Sequence, residues 1–89
     1  MIVRQRVIYT GNVQGVGFRY TAQRLARTLN VAGFVRNLPN GTVELVVEGT
    51  ADQIQRLREL VGRQMAGNIE REEITEETPE GVPGFGIRF

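Results

Sequence analysis

The apolar residues of this 89-residue chain change their spacing repeatedly, from every second position to every third or fourth and back. Alternation puts side chains on one face of a strand, whereas recurrence at i, i+3 and i+4 makes a stripe along a helix. Val7 and Tyr9 share one face of a first strand expected over Val3 to Thr10. Ala22, Leu25, Ala26 and Leu29 then recur at helical spacing, which predicts a helix from Phe18 to Leu29 with Asn30 as its stop. Val31 to Leu38 returns to strand character. Pro39-Asn40-Gly41 turns the chain, because Asn-Gly tolerates the positive φ of a tight hairpin.

The return strand, Thr42 to Glu48, sets Val43, Leu45 and Val47 on one face and Thr42, Glu44 and Glu48 on the other. That pattern predicts one buried and one wet sheet face, with Val46 breaking it mildly. Thr50 and Gln53 form a capping box ahead of Ile54, Leu57, Leu60 and Val61, so a second helix is expected over Ala51 to Met65. Ile69 to Glu77 is glutamate-rich and extended, with its two isoleucines out of phase, and reads as an edge strand with a bulge. After a loop from Pro79 to Gly84, Phe85, Ile87 and Phe89 alternate as a last short strand. The order βαββαβ, with a small terminal strand added, predicts an α+β ferredoxin-like sandwich: an antiparallel-rich sheet with two helices on one face. The whole chain, 1–89, is expected to be one domain.

Composition narrows the chemistry. The chain has neither cysteine nor histidine, which removes thiol nucleophiles, thiolate metal sites and the commonest general base. It also lacks lysine, so all eleven basic groups are arginines and both a Walker-type phosphate loop and Schiff-base chemistry are excluded. A net charge of +1 gives no general attraction to nucleic acid or to an anionic membrane. Helix arginines such as Arg24 and Arg56 are not interleaved with aromatics, and the six glutamates between Glu70 and Glu80 follow no ligand spacing. With no long apolar run and no signal-peptide pattern, the expected setting is cytoplasmic.

Between the first strand and the first helix lies Gly11-Asn12-Val13-Gln14-Gly15-Val16-Gly17-Phe18-Arg19, with three glycines in seven residues and an arginine at its end. Glycines let backbone N–H groups approach a ligand closely, and a helix start adds unpaired donors and the positive end of its dipole. Arg19 completes a phosphate cradle with a planar, permanently charged fork. A Gly-x-Gly by itself is equally compatible with a plain strand-to-helix connection, and an asparagine before a turn, such as Asn37, commonly bonds to local backbone.

Two stretches carry a family resemblance. Val13-Gln14-Gly15-Val16-Gly17-Phe18-Arg19 resembles the first signature of the acylphosphatases, and Gly33-Phe34-Val35-Arg36-Asn37-Leu38-Pro39-Asn40-Gly41-Thr42-Val43 with Glu48-Gly49 resembles their second. The ending Gly84-Phe85-Gly86-Ile87-Arg88-Phe89 is similar to the family's last strand, so the likeness spans essentially the whole chain. One departure is Asn12, where many members carry a basic residue. The resemblance implies hydrolysis of the mixed anhydride between a carboxylic acid and phosphate. It implies Arg19 as the phosphate-binding arginine and Asn37 as the residue that positions water. The backbone N–H groups of Gly15, Val16, Gly17, Phe18 and Arg19 would form the rest of the cradle. No cofactor and no metal are expected. The expected partner is a small-molecule acyl phosphate, competed by phosphate or sulfate, with the protein a monomer and no nucleic acid or membrane involved.

The residue inventory suits such a reaction independently. A carboxylate leaves without a strong general acid, and a loose phosphoryl-transfer transition state responds mainly to positioning and electrostatics. Two other readings stay open at this level. One is an acylphosphatase-like module of a larger protein, such as the carbamoyl-phosphate-handling domain at the start of a hydrogenase-maturation protein, which an end at Phe89 disfavours. The other is a non-catalytic ferredoxin-like module that uses the loop only as an anion site.

Overall fold

The structure, a computed structural model, describes residues 1–89. Seven elements follow in order: β1 (Val3–Gly11), α1 (Phe18–Ala26), β2 (Val31–Asn37), β3 (Val43–Gly49), α2 (Ala51–Gln64), β4 (Ile69–Glu77) and β5 (Phe85–Arg88). The five strands make one sheet in the order β4-β1-β3-β2-β5, antiparallel throughout except for the parallel β2–β5 pair. Val7 and Tyr9, Val35, and Val43, Leu45 and Val47 project to one face, where α1 and α2 cover them with Phe18, Ala22, Leu25, Ile54, Leu57 and Val61. The expected ferredoxin-like sandwich is the observed one. Neither helix is long and apolar enough to cross a membrane.

The opposite face departs from the sequence expectation. Glu44 and Glu48, read as wet, are 3% and 4% exposed, and Val46 beside them is buried as well. Arginines from the flanking strands cover them. Glu44 accepts from Arg6 Nε at 2.5 Å and from Arg36 Nε at 2.6 Å, one on each neighbouring strand. Glu48 accepts from Arg4 Nη1 at 2.8 Å and from the backbone N–H groups of Glu80 and Gly81 at 2.8 and 3.0 Å. Arg4 also donates to Glu77 on the edge strand at 2.8 Å. Arg88 lies over the ring of Phe34, 3.6 Å from its centroid. Alternating hydrophobicity reports which side chains are polar, but long arginine stems can roof a polar row and exclude water from it.

Three smaller differences have local causes. Helix α1 ends at Ala26, three residues before the expected Leu29, because Thr28 Oγ1 donates to Leu25 O at 2.7 Å and the chain closes with i→i−3 bonds at Thr28 and Leu29. Leu29 still packs against the core from outside the helix. Only half of the capping box forms: Thr50 Oγ1 accepts from Gln53 N, while the Gln53 side chain accepts from Asn30 N at 3.0 Å instead of turning back. Phe89 lies beyond β5 and is 91% exposed, so the alternation of the last strand does not extend to it.

The bulge expected in the edge strand is present. Thr10 pairs with Arg71 and Gly11 with Ile69, leaving Glu70 as the extra residue of β4. That one insertion restores the phase between Ile69 and Ile74, which then fall on the same face as Val7.

The buried carboxylates make stability depend on acid. Burial pushes the Glu48 carboxyl up, but the Glu80 N–H, Arg4 and the Gly81 N–H outweigh it and hold it below the ordinary 4.5. Burial likewise raises Glu44, and Arg6 and Arg36 bring it below the same value. A carboxyl lower in the folded state stabilises the fold above its unfolded pKa, and that contribution vanishes as pH falls through the folded one. Stability measured by urea unfolding is therefore expected to decline as pH drops below 4.5. The Glu48→Gln protein should start from a lower plateau and decline less steeply over the same range.

Candidate active site

The loop between β1 and α1 is anchored at both ends. Asn12 N donates to Asn68 O at 2.9 Å and Asn68 Nδ2 donates back to Asn12 O at 3.0 Å, tying the loop to the turn after α2. Val13 is buried in the core. Phe18, the first residue of α1, is also buried, its ring 5.0 Å from that of Tyr9 and tilted by 52°. The helix start is thus fixed by an aromatic contact.

Between those anchors, Gly15 and Gly17 hold φ of 74° and 80°, the left-handed region that side chains resist. Alternating this region with right-handed backbone turns successive N–H groups toward one concavity. Gly17 is the N-cap of α1, and no side chain caps the helix there. The first turn carries no acidic residue either. The orphan donors and the positive dipole end of α1 therefore face the loop without an internal anion to answer them.

The cleft at this point has a volume of about 190 Å³ and is lined by Val13, Gly15, Gly17, Phe18, Arg19, Tyr20 and Asn37. The glycine loop, its arginine and the asparagine from the other signature converge on one concavity. Val16 stays on the loop without lining the cleft, and its side chain is exposed, as is Tyr20 at the mouth. Two larger concavities lie elsewhere, and neither includes a residue of this loop.

Asn37 reaches the cleft because β2 ends there: Asn37 and Tyr9 both pair with Val43, on opposite sides of β3. The local bonds that close the turn belong to Asn40, whose Oδ1 accepts from Thr42 N at 3.2 Å and Thr42 Oγ1 at 2.6 Å. Turn closure leaves the Asn37 amide unused. Arg36, one residue earlier, is an exposed sheet residue paired with Glu44.

Arg19 has no carboxylate within salt-bridge distance, and its Cζ lies 4.8 Å from the ring centroid of Phe89. No carboxylate, histidine or cysteine lines the cleft, so its electrostatics are those of one guanidinium and a set of N–H dipoles. Such a site suits a phosphate-sized anion whose charge develops or moves during reaction.

One residue at the site went unread in the sequence. Gln14 Nε2 donates to Leu38 O and to Thr42 O, both at 2.8 Å, and so joins the loop to the β2–β3 turn. Bonds from a side chain to backbone 24 and 28 residues away leave no periodic trace in a sequence.

The family model described as Acylphosphatase matches residues 5–87. An acylphosphatase of Thermococcus kodakarensis is 44% identical over 89 residues, covering 96% of this chain and 94% of that protein. The crystal structure of the acylphosphatase from Bacillus subtilis superposes with a TM-score of 0.88 at 34% identity over 100% of both chains. The T. kodakarensis HypF structure matches with a TM-score of 0.77 at 34% identity, over 98% of this chain but 12% of that one.

Loop geometry itself can be tested. A methyl group at Gly17 meets nothing within 4 Å, so the Gly17→Ala protein should fold and lose only the strain of a left-handed alanine, about 1 kcal/mol, in urea unfolding.

Proposed function

The chain belongs to the acylphosphatase family and is an acylphosphatase enzyme, and we propose that it works by direct attack of water on a phosphoryl group held in the loop of residues 15–19. The observation that carries this reading is the convergence of Gly15, Gly17, Arg19 and Asn37 on one cleft. The N–H groups of Gly15, Val16, Gly17, Phe18 and Arg19 hold the equatorial oxygens, and the Arg19 fork adds a fixed positive charge. Asn37 Oδ1 accepts a hydrogen bond from the attacking water and turns its lone pair toward phosphorus.

Atoms and electrons balance within a single step. The water oxygen forms a bond to phosphorus while the bond from phosphorus to the acyl oxygen breaks. The carboxylate leaves with the electron pair, and the water's proton passes to a phosphate oxygen. Because the leaving group is already a weak base, the step requires no protein acid, and none lines the cleft. Metal-free turnover with no phosphoenzyme follows from the same roles. The acyl group emerges at the mouth, where Tyr20 is exposed, so recognition centres on the phosphate end.

Phosphate release from benzoyl phosphate or acetyl phosphate, measured in excess chelator, tests the reading. The Arg19→Gln protein should lose inorganic phosphate binding and turnover together. The Asn37→Ala protein should keep its inhibition by phosphate or sulfate while kcat falls by about a hundredfold or more. Wild-type activity no greater than that of Arg19→Gln would leave an anion-binding module. Normal turnover by Asn37→Ala would remove the water-positioning role, and a trapped phosphoprotein would remove direct attack.

A further inference from the structure

We propose that Gln14 is a positioning residue that sets the separation between the phosphoryl group on the loop and the water at Asn37. The inference rests on the roles just given to the loop and to Asn37. Its physical basis is that the two halves of the site sit on strands that do not touch. β1, which leads into the loop, and β2, which ends in Asn37, are separated by β3, so no backbone ladder links them directly. Two strand spacings put their paired positions about 10 Å apart.

Gln14 bridges that gap. It lies one residue before the loop's Gly15, and both N–H bonds of its amide are used, on Leu38 O and Thr42 O at 2.8 Å each. Leu38 is the residue after Asn37. On its other flank the loop is tied by Asn12 to Asn68, in the turn between α2 and β4.

The turn does not require this amide for its own closure. Leu38 N already donates to Thr42 O at 2.9 Å, and Gly41 N already donates to Leu38 O at 3.1 Å. Each carbonyl has a backbone partner and lends Gln14 its second lone pair. Removing the amide therefore orphans neither carbonyl, which separates its effect on geometry from its effect on hairpin integrity. What is lost is the constraint on where the loop sits relative to Asn37. A small displacement of a reacting pair has a large effect on rate and little on binding of one partner alone.

The test compares Gln14→Met and Gln14→Glu with the wild type and with Asn37→Ala, folding being checked by circular dichroism and urea unfolding. For Gln14→Met, kcat on benzoyl phosphate should fall about tenfold or more, while the inhibition constant of inorganic phosphate stays within about threefold. Adding Gln14→Met to Asn37→Ala should cost no further activity, because the positioned water is already gone.

The glutamate variant provides a conservative rescue. Its carboxylate would face two carbonyl oxygens and so titrate above the ordinary range, and once protonated it regains one O–H donor. Its kcat relative to wild type should rise as pH is lowered from about 7 to about 5, a profile that a purely structural residue would not produce. Should Gln14→Met fail to fold, this pH series decides the matter, a flat ratio counting against the proposal.

Wild-type kcat in Gln14→Met beside an impaired Asn37→Ala overturns the positioning role alone. Losses that multiply in the double variant, or phosphate affinity that falls in step with kcat, overturn it too, by placing Gln14 in the cradle. Full turnover by Asn37→Ala overturns the underlying reading and this one with it.

Discussion

The central strand β3 is buried along its entire length, and everything else in the molecule is arranged to make that possible. Its odd residues, Val43, Leu45 and Val47, are covered by the helices. Its even side is harder, since Glu44 and Glu48 bring two carboxylates out of water. An unpaired buried charge would cost several kcal/mol, so these need partners on every side. Arginine meets that need, because its planar fork reaches across a strand spacing, and the Arg88 guanidinium also lies over the Phe34 ring. Glu44 joins β1 to β2 through Arg6 and Arg36, and Glu48 joins β1 to the loop before β5. The charged face is a set of cross-strand ties rather than a solvated surface.

Fixing β3 fixes the site, because both halves of it hang from one end of that strand. Tyr9 and Asn37 oppose Val43 from either side, so the chain leaving β1 and the last residue of β2 emerge at the same level of the sheet. The ladder controls their height but leaves their approach across β3 undetermined. Side chains set that approach: the Phe18 ring against Tyr9 seats the helix start, and the Gln14 amide reaches the turn. A rigid sheet thus carries a loop whose own backbone has few internal constraints.

What the sequence disclosed follows the range of the interaction. Strand and helix order, the hairpin at Asn40-Gly41 and the glycine loop are local or periodic, and each appeared where expected. Asn37 could be paired with the loop only through a family resemblance, since nothing in its own neighbourhood marks it. The structure explains why: it lies on a strand two removed from β1. The misread features all depend on distant partners. Glu44 and Glu48 look like wet positions until Arg4, Arg6 and Arg36 are set beside them. Gln53 completes a capping box on paper, yet Asn30 claims its side chain. The bulge was signalled by two isoleucines out of phase, but only the pairing with β1 identified Glu70 as the residue that realigns them.

The state of Arg19 ties the charge pattern to the proposed chemistry. Arg4, Arg6, Arg36, Arg56, Arg58 and Arg71 all meet a carboxylate, and Arg19 meets none. Had it been paired, an incoming phosphate would have to displace a carboxylate before gaining anything, and much of the attraction would cancel. An aromatic face restrains a guanidinium without neutralising it, and Phe89 supplies such a face at 4.8 Å. The helix start beside it is likewise uncapped and free of acidic side chains. Positive potential is therefore left unanswered at the cleft that also holds Asn37. No glutamate lines that cleft: Glu44 and Glu48 lie on the covered sheet face, five lie on the outer strand β4, Glu59 lies on α2 and Glu80 in the loop before β5.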